Sequence, residues 1–489
     1  MLIKSWLHMQ TSKRFTPGFA MLAGVSKVVL GVALGLAPSC AVDDNVGSDP
    51  AEAQDDGGDP DTSAVCSEGR LRCHAHVQID HASNRIKSHA ATPVGFGPPD
   101  LQAAYAIDPK TVVGTPTVAI VDAYSYAALE SDLAAYRSQY GLPACTIANG
   151  CLTVVNQMGQ ASPLPQASPP KDDWTIETAL DIDMVSAACP KCKILVVQAN
   201  DDVNDGLMQA QMAAVNLGAT VISNSWGGAE VNATDTASSE PFFDHPNIAI
   251  FVSAGDDGYN DAGKGPDYPA TSSHTIAVGG TSLVKDTVPG ATARGWTETA
   301  WSSGGSACSL SVAKPAYQTA SPCTYKATAD ISAVGDLNTG VAVYNAQNGG
   351  WIKVGGTSAS APFVASIFAA TGNGTQTSGQ FIATKAALLN DVVSGNNGTC
   401  GTQTLLCNAA VGWDGPTGYG TPNAKKLMPQ STSGTGGGNG DGTGGGNGSG
   451  NGDGTGEVTS GCSTSGGAGA GAGLLLGLAA MLARRRRRA

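Results

Sequence analysis

The chain has 489 residues, of which 65 are glycine and 12 are cysteine, and its formal net charge is −13. Such a length allows about three domains of ordinary size, or one large α/β domain with tails. Acidic residues outnumber basic ones 40 to 27, and the basic residues are concentrated at the two ends. An acidic body without a basic stripe repels phosphate backbones, so a nucleic-acid-binding function is excluded.

Residues 1–41 have the layout of a secretory signal. Four basic residues precede an apolar run over 28–37 that ends in small residues, and cleavage is expected after Ala41. Met9 and Met21 are alternative starts, and lipidation of Cys40 is an alternative to simple cleavage. Residues 42–91 are interpreted as a linker and a short pro-segment. The part over 42–65 is acidic and glycine-rich, a composition typical of disordered chain.

Residues 92–430 alternate short apolar runs with segments of helical length, which predicts one large α/β domain. The runs rich in β-branched residues predict buried parallel strands at 118–121, 193–197, 220–223 and 248–252. The segments of helical length are 127–140, 175–188 and 203–217. This alternation favours a doubly wound, mostly parallel sheet with helices on both faces. Ligand sites in such sheets lie beyond the carboxyl ends of the strands.

The C-terminal end is expected to be a linker followed by a sorting tail. Residues 431–461 are almost entirely Gly, Ser, Thr, Asn and Asp, which is typical of a flexible coil. The tail over 462–489 has a Gly-Cys-Ser motif at Cys462, an apolar stretch over 468–483 and five arginines. Sixteen helical residues span roughly 24 Å, a short membrane helix. The tail resembles the MYXO-CTERM sorting tails, which implies surface delivery, a sorting protease as partner and processing near Cys462. A plain membrane anchor is the alternative.

Ten of the cysteines lie in close pairs, and this pattern favours an exported protein with disulfides that close short loops. The pairs are Cys66/Cys73, Cys145/Cys151, Cys189/Cys192, Cys308/Cys323 and Cys400/Cys407. The rival interpretation takes Cys189 and Cys192 as a redox site or half of a zinc site, but no second CxxC motif or histidine pair accompanies them.

Ser358 is the candidate nucleophile. It lies in Gly-Gly-Thr-Ser-Ala-Ser-Ala-Pro over 355–362, just before an apolar run, so its hydroxyl is expected on a tight turn at a helix start beside free N–H groups. A similar Gly-Gly-Thr-Ser occurs at Ser282, but it lacks the Ala-Pro and the apolar helix. His245 and His274 stand singly in the body, so a histidine base is disfavoured.

Three carboxyl groups offer a replacement for histidine. Glu177 and Asp181 are four residues apart on an otherwise apolar helical segment, so they share a face and are able to share a proton. A solvated acidic face is the alternative interpretation. Asp256 follows an apolar strand, where it is either a turn aspartate or, when protonated, a hydrogen-bond donor to an oxyanion.

These motifs resemble those of the sedolisins, or serine-carboxyl peptidases, which have a subtilisin-like fold. The resemblance runs from Gly95 to Asn423, about two-thirds of the chain. It implies an endopeptidase with Ser358 as nucleophile, Glu177 as base, Asp181 as its partner and Asp256 as the oxyanion acid. It also implies that Asp122 and Trp226 extend the carboxylate network. Sedolisins commonly carry a large folded propeptide, whereas here only about 50 residues separate the predicted signal from the body.

The resemblance also implies one structural calcium ion near the C-terminus of the domain. Its expected ligands are Asp391, Val392, Ala410, Gly412 and Asp414, which supply the carboxylate and backbone carbonyl oxygens that a hard cation prefers. Ala410 stands where the family usually has glycine.

The sequence therefore predicts an exported, surface-anchored and monomeric endopeptidase that acts on proteins or peptides at acid pH. Two alternatives remain open at this point. One is a catalytically inactive relative that serves as a surface adhesion or binding module. The other is a histidine-dependent hydrolase of the subtilisin type.

Overall fold

A computed structural model describes residues 62–66, 70–80, 82–169, 172–203 and 205–429. The predicted signal, most of the acidic linker, the glycine-rich linker and the sorting tail lie outside the described residues. No helix in the described part of the chain is long and apolar enough to cross a membrane.

The strands, in chain order, are β1 (Thr62–Ala64), β2 (Arg72–Cys73), β3 (His76–Asp80), β4 (Arg85–Ile86), β5 (Ser88–His89), β6 (Thr117–Ala123), β7 (Leu152–Asn156), β8 (Lys193–Ala199), β9 (Val221–Asn224), β10 (Trp226–Ala229), β11 (Ala249–Ser253), β12 (Asp267–Tyr268), β13 (Ile276–Lys285), β14 (Trp296–Ala300), β15 (Ala307–Ala313), β16 (Tyr325–Thr328), β17 (Ile331–Val334), β18 (Val341–Asn345) and β19 (Gly350–Gly355). The α-helices are α1 (Pro98–Ala104), α2 (Leu129–Gln139), α3 (Trp174–Ala188), α4 (Gly206–Asn216), α5 (Ala233–Ser239), α6 (Thr357–Ala370), α7 (Gly379–Thr384) and α8 (Ala424–Leu427).

A mostly parallel sheet forms the centre of the fold. Its strands lie in the order β14-β13-β11-β9-β6-β8-β7, and β17 pairs with β13. Only β14 runs antiparallel to its neighbour, and Val118 of β6 is in register with Ile194 of β8 and Val221 of β9. The inner strands are continuously buried, as expected when both faces of a parallel sheet are covered. The predicted α/β fold and its four strands are confirmed.

Two central helices, α3 and α6, are buried along their whole length and pack against each other. Both are rich in alanine and in apolar side chains, and α6 also contacts β9, β11 and β17. A fully buried aliphatic or aromatic side chain contributes about 1.5–3 kcal/mol to the free energy of unfolding. Burial of this kind fixes both helix axes, and it therefore fixes any polar side chain that they carry.

The described N-terminal residues form strands that pair with strands of the domain. Strand β3 pairs with β1 and with β19, where Val77 lies opposite Val354. Strand β2 pairs with β10, where Cys73 lies opposite Trp226. Disorder was predicted over 42–65, and the last part of this prediction is wrong, because Thr62–Ala64 is a strand paired with β3. That tripeptide lacks the acidic and glycine residues on which the prediction depended.

All five predicted cysteine pairs form disulfides, and the prediction is confirmed. The bonds are Cys66–Cys73, Cys145–Cys151, Cys189–Cys192, Cys308–Cys323 and Cys400–Cys407.

Candidate active site

Ser358 lies on a tight turn between β19 and the start of α6. Gly356 forms the turn with φ +111°, and a Cβ added there would lie 2.1 Å from the His74 carbonyl oxygen and 2.7 Å from Asp256 Oδ2. Only glycine fits this position, because both the backbone angle and the space exclude a side chain. Ser358 is the second residue of α6, so its N–H lies in the first turn, where no carbonyl of the helix is available.

Glu177 and Asp181 lie one turn apart on α3, and both are fully buried. Ser225 connects Asp181 to the nucleophile. Its hydroxyl donates to Asp181 Oδ1 at 2.8 Å, and its carbonyl oxygen accepts from the Ser358 hydroxyl at 3.1 Å. The Ser358 hydroxyl acts on the Glu177 carboxyl by lowering its pKa, although both oxygens of that carboxyl are buried and have no full hydrogen bond within the described residues. The structure thus brings the predicted nucleophile and the predicted carboxyl pair together.

Burial dominates the electrostatics of this carboxyl cluster. It raises the pKa of Glu177 well above its usual range, and the charge of Asp122 raises it further, while the Ser358 hydroxyl lowers it. Burial, with the charges of Asp122 and Glu177, also raises the pKa of Asp181. Burial raises the pKa of Asp122 to about 7. Three adjacent carboxyl groups that are fully buried cannot all be ionised, so they share protons over the acid range.

Asp256 lies on the other side of the Ser358 turn, with one carboxyl oxygen bonded and one free. Its Oδ1 accepts from the Thr357 N–H at 2.7 Å and from the Thr357 hydroxyl at 2.8 Å. Its Oδ2 is buried and has no full hydrogen bond within the described part of the chain; His76 Nε2 lies 3.4 Å away. Burial raises the pKa of Asp256 well above its usual range, although the Thr357 bonds oppose this. Oδ2 is therefore the oxygen on which a proton would reside.

The two residues expected to extend the network differ from each other. Asp122 is fully buried near the end of β6 and acts on both carboxyls of α3 through its charge. Trp226 instead donates its indole N–H to the Val121 carbonyl oxygen at 2.8 Å, so its hydrogen bond goes to the sheet backbone and not to a carboxylate.

The two body histidines lie elsewhere. His274 pairs with Glu240 and Asp244, and His245 contacts the Phe242 carbonyl oxygen. Among the described residues, no histidine ring makes a hydrogen bond to Ser358 or to Glu177.

Sequence reasoning missed the contribution of His74 and of Ser225. The Ser358 N–H donates to the His74 carbonyl oxygen at 3.0 Å, and the His74 N–H donates to the Ser225 carbonyl oxygen at 3.1 Å. His74 belongs to the segment interpreted as a pro-segment, and only long-range strand pairing brings it here. Ser225 had a weak signal, since it lies directly before Trp226 in a small-residue segment at the end of a predicted strand.

The five residues expected to bind calcium are brought together around two carboxylates. Asp391 Oδ2 accepts from the Gly412 N–H at 3.0 Å, and Asp414 Oδ2 accepts from the Ala410 N–H at 2.9 Å. Burial raises the pKa of Asp414 to about 7, and the nearby charge of Asp391 adds to this. Within the described residues, the carbonyl oxygens of Val392, Ala410 and Gly412 accept no hydrogen bond. Ala410 is not in the left-handed region, so its Cβ is tolerated. One buried carboxylate, Asp414, one exposed carboxylate, Asp391, and the unused carbonyls fit a hard cation.

Comparison with known proteins agrees with this geometry. The family model Peptidase_S8, described as the subtilase family, matches residues 167–426. The chain belongs to the subtilase family. Sedolisin from Pseudomonas sp. (strain 101) is 27% identical over 414 residues, which cover 77% of this chain and 68% of sedolisin. Kumamolisin from Bacillus sp. (strain MN-32) is 27% identical over 398 residues, which cover 73% of this chain and 67% of kumamolisin.

The subtilisin-like fold is confirmed by a solved structure. Pseudomonas sedolisin, a serine-carboxyl proteinase complexed with two molecules of pseudo-iodotyrostatin, is similar with a TM-score of 0.56 at 24% identity, over 69% of this chain and 98% of that chain. The protein is a sedolisin-like serine peptidase.

Proposed function

We propose that this sedolisin-like peptidase hydrolyses peptide bonds at acid pH through an acyl-enzyme on Ser358. The observation that carries the proposal is the contact of the Ser358 turn with buried carboxyl groups on two sides. Glu177 and Asp181 lie on the side of α3, and Asp256 lies on the side of β11. Buried carboxyls of this kind are the groups that perform proton transfer in acid.

In the proposed mechanism, ionised Glu177 accepts the proton of the Ser358 hydroxyl as its oxygen attacks the substrate carbonyl. Asp181 keeps the charge of Glu177 partly compensated by sharing a proton with it, and Ser225 holds Asp181 in place. The developing oxyanion receives the Ser358 N–H and the proton on Asp256 Oδ2. Each preorganised donor of this kind typically lowers the activation free energy by about 3–4 kcal/mol.

Asp256 is oriented for this role by Thr357. Because Oδ1 accepts both hydrogen bonds from Thr357, the carboxylic proton is directed to Oδ2, which faces the turn. A proton on Oδ1 would compete with the hydrogen bond from the Thr357 N–H, a group that cannot accept one in return. Thr357, which directly precedes the nucleophile, therefore determines that Oδ2 of Asp256 is the oxygen that donates.

The proposal also covers calcium and location. Asp391 and Asp414, with the carbonyl oxygens of Val392, Ala410 and Gly412, would hold one calcium ion, which would neutralise the two carboxylates and stabilise the fold. Export and surface anchoring through the C-terminal tail rest on the sequence, and they are supported by the five disulfides, which are typical of oxidising compartments. The expected substrates are proteins or peptides, and the expected state is a monomer.

The test is kcat/KM against pH, after incubation at pH 4, for wild type and Asp256→Asn. Activity should rise as Glu177 ionises and fall as Asp256 ionises, which gives a bell-shaped profile. Because burial raises the pKa values of both groups above their usual range near 4, the bell should be displaced upward from that range and still lie on the acid side of pH 7. Asp256→Asn keeps an N–H donor that needs no proton, so its falling limb should disappear while its maximal rate decreases.

Asp257→Asn is the matched control, because this neighbouring carboxylate faces Lys264 at 3.2 Å and Arg72 at 3.8 Å. Asp257→Asn should keep the falling limb of the kcat/KM profile. A wild-type optimum above pH 7 contradicts the carboxylate mechanism. Absence of hydrolysis by wild type and by Asp257→Asn at every pH would favour the inactive binding module.

A further inference from the structure

The end of the domain opposite the active site carries a cluster of lysines. Four segments meet there, and they comprise residues 105–117, 188–193, 370–376 and 423–429. Together they contain five lysines and one acidic residue, whereas acidic residues outnumber basic ones 40 to 27 in the whole chain. The five lysines, here called the lysine face, are all exposed: Lys110, Lys191, Lys193, Lys425 and Lys426.

Three of these lysines lie at the amino ends of two neighbouring parallel strands. The Lys191 ammonium group donates to the Lys110 carbonyl oxygen at 2.6 Å, so the loops before β8 and β6 are in contact. Lys193 is the first residue of β8, and it lies opposite Thr117, the first residue of β6. The central sheet therefore fixes the spacing of these three positions.

The two lysines of α8 join the same surface through the chain that follows α6. The Asn373 side-chain amide donates to the Leu427 carbonyl oxygen at 3.1 Å, at the end of α8. Gly372 lies against the loop before β6, since a Cβ added to it would lie 2.9 Å from Val113 Cγ1. Helix α8 and the loop that carries Lys110 are thus parts of one continuous surface.

Carboxylates do not neutralise this surface. Within the described residues, none of the five lysines forms a salt bridge, whereas Lys264 and Lys285 each pair with a carboxylate. Asp108 is the acidic residue of the four segments, and its carboxyl accepts from the Thr111 hydroxyl and the Lys110 N–H. Five lysines and one aspartate leave a formal charge of +4 on the four segments.

An aliphatic side chain is exposed among the lysines. Val113 is 39% exposed, and its N–H donates to the Ala370 carbonyl oxygen at 2.8 Å, which fixes the loop on the end of α6. Gly114 follows with φ +73° and turns the chain back toward β6. Lysines around an exposed aliphatic residue suit the surface of a bilayer, where cations meet anionic headgroups and the aliphatic group reaches the acyl boundary.

The lysine face and the nucleophile lie at opposite ends of the central helices. Ser358 is in the first turn of α6, and Ala370 is its last residue. At about 1.5 Å per residue, the 14 residues of α6 span about 20 Å. Helix α3 carries Glu177 in its first turn and ends at Ala188, next to the loop of Lys191.

We propose that the lysine face docks the domain on the anionic headgroups of a bilayer, so that the active site is directed away from the membrane. The described chain ends at Pro429, three residues after Lys426, and the predicted linker and sorting tail follow in the sequence. The inference goes beyond the peptidase activity and rests on the surface anchoring proposed above. It implies that the enzyme acts on proteins outside the membrane surface that carries it.

The charge of the rest of the domain disfavours other orientations. Residues 62–429 contain 29 acidic and 18 basic residues, a formal charge of −11. Because the four segments carry +4, the remainder carries −15. Charges act over about 8 Å at physiological ionic strength, so the side in contact decides the interaction. Each lysine near an anionic surface favours binding by about fivefold, whereas the acidic remainder is repelled.

The experiment measures by mass spectrometry how fast each lysine is acetylated in the full chain with Ser358→Ala, which prevents self-digestion. The chain is reconstituted at pH 7 with vesicles of phosphatidylcholine, either alone or with about 30% phosphatidylglycerol. The five lysines should react at least about fivefold more slowly on the anionic vesicles than on the neutral ones. The side chains of Lys264 and Lys285 are 57% and 67% exposed and should react equally on both. Salt at about 1 M, where the Debye length is about 3 Å, should abolish the protection.

Charge reversal at two positions tests the surface itself. Lys110→Glu combined with Lys426→Glu should remove the protection of the three remaining lysines. Lys264→Glu combined with Lys285→Glu is the matched control, because it changes the net charge equally at the carboxyl ends of β11 and β13 and should keep the protection. In a chain with Ser358 intact, the first pair of substitutions should leave kcat/KM for a soluble peptide unchanged.

The outcomes separate docking from anchoring and from catalysis. If the chain is found with both kinds of vesicle and the five lysines react equally on them, docking is overturned and anchoring stands. Equal loss of protection in the two charge-reversed chains, or protection of Lys264 and Lys285 as well, also overturns docking, because no face is then preferred. A chain that associates with neither kind of vesicle overturns docking and anchoring together. Inactive wild type contradicts the peptidase function and leaves the docking result unaffected.

Discussion

The buried carboxyl groups predict that this fold is more stable in acid than at neutral pH. Burial raises the pKa of Asp122 to about 7, whereas an aspartate in the unfolded chain titrates near 3.9. The folded state therefore binds a proton more tightly than the unfolded state. The stabilisation is complete below about pH 4, and it is lost as pH rises through about 7. We choose Asp122→Asn, which removes the titration and nearly keeps the shape.

The size of this effect on the free energy of unfolding follows from the shift in the pKa of Asp122. One pKa unit corresponds to about 1.4 kcal/mol, so a shift of roughly three units for Asp122 makes a difference on the order of 4 kcal/mol between pH 4 and pH 8. At about 2.1 cal/mol/K per residue over roughly 370 folded residues, the entropy of unfolding is about 0.8 kcal/mol/K. The resulting shift in Tm is about 5 °C. The charge of Asp122 also raises the pKa of Glu177 and Asp181, so its removal should flatten the pH dependence further.

The assay is thermal unfolding by circular dichroism from pH 4 to pH 8, in a Ser358→Ala background that prevents self-digestion. The parent Tm should fall by more than 5 °C, because burial also raises the pKa of Asp267 to about 8. The Tm of the Asp122→Asn variant should fall less steeply as pH rises. Asp108→Asn is the control, since hydrogen bonds from Thr111 and the Lys110 N–H lower the pKa of Asp108 and place its effect below this window. A parent Tm that is flat or rises with pH refutes the reasoning.

Three further predictions use other parts of the site. Ser282→Ala should keep most peptidase activity and Ser358→Ala should abolish it, because Ser282 donates to Asp336 at 2.6 Å and not to the carboxyl cluster; equal losses in a peptide assay would mean that the nucleophile is misassigned. Gly356→Ala should reduce kcat at least tenfold, whereas Gly141→Ala, with positive φ and open space, should not; unchanged kcat in the first would contradict the tight turn. Asp414→Ala, or chelation, should lower Tm by several degrees if calcium binds the folded state at saturation, and no shift on chelation would contradict the metal site.

The sequence was sufficient for the centre of the molecule, where local pattern and tertiary structure agree. Uninterrupted β-branched runs have few alternatives to a buried parallel strand, and all four predicted runs overlap strands of the central sheet, two of them shifted by one residue. The spacing of Glu177 and Asp181 placed both on one face of a helix, as the structure shows. The glycines before Ser358 indicated a tight turn, and they form it.

Features that depend on distant strand pairing were not accessible in this way. The strands over 62–89 are two to five residues long, and such short segments carry too little periodicity to be recognised. The partners that join β2, β3 and β5 to the rest of the domain lie more than 150 residues away, in β10 and β19. Thr357 is similar, since its hydrogen bonds to Asp256 join residues 101 apart along the chain. The orientation of that carboxyl group was therefore visible only after folding.

The five disulfides all close short loops, and this limits what oxidation does for the molecule. The sequence separations are 3, 6, 7, 7 and 15 residues. By the chain-entropy relation, such loops contribute about 1.6 kcal/mol at the shortest and about 3 kcal/mol at the longest. None of these bonds ties one strand of the central sheet to another. Mild reduction should therefore loosen local loops one at a time, while the order of the parallel strands, held by their hydrogen bonds and by packing, persists.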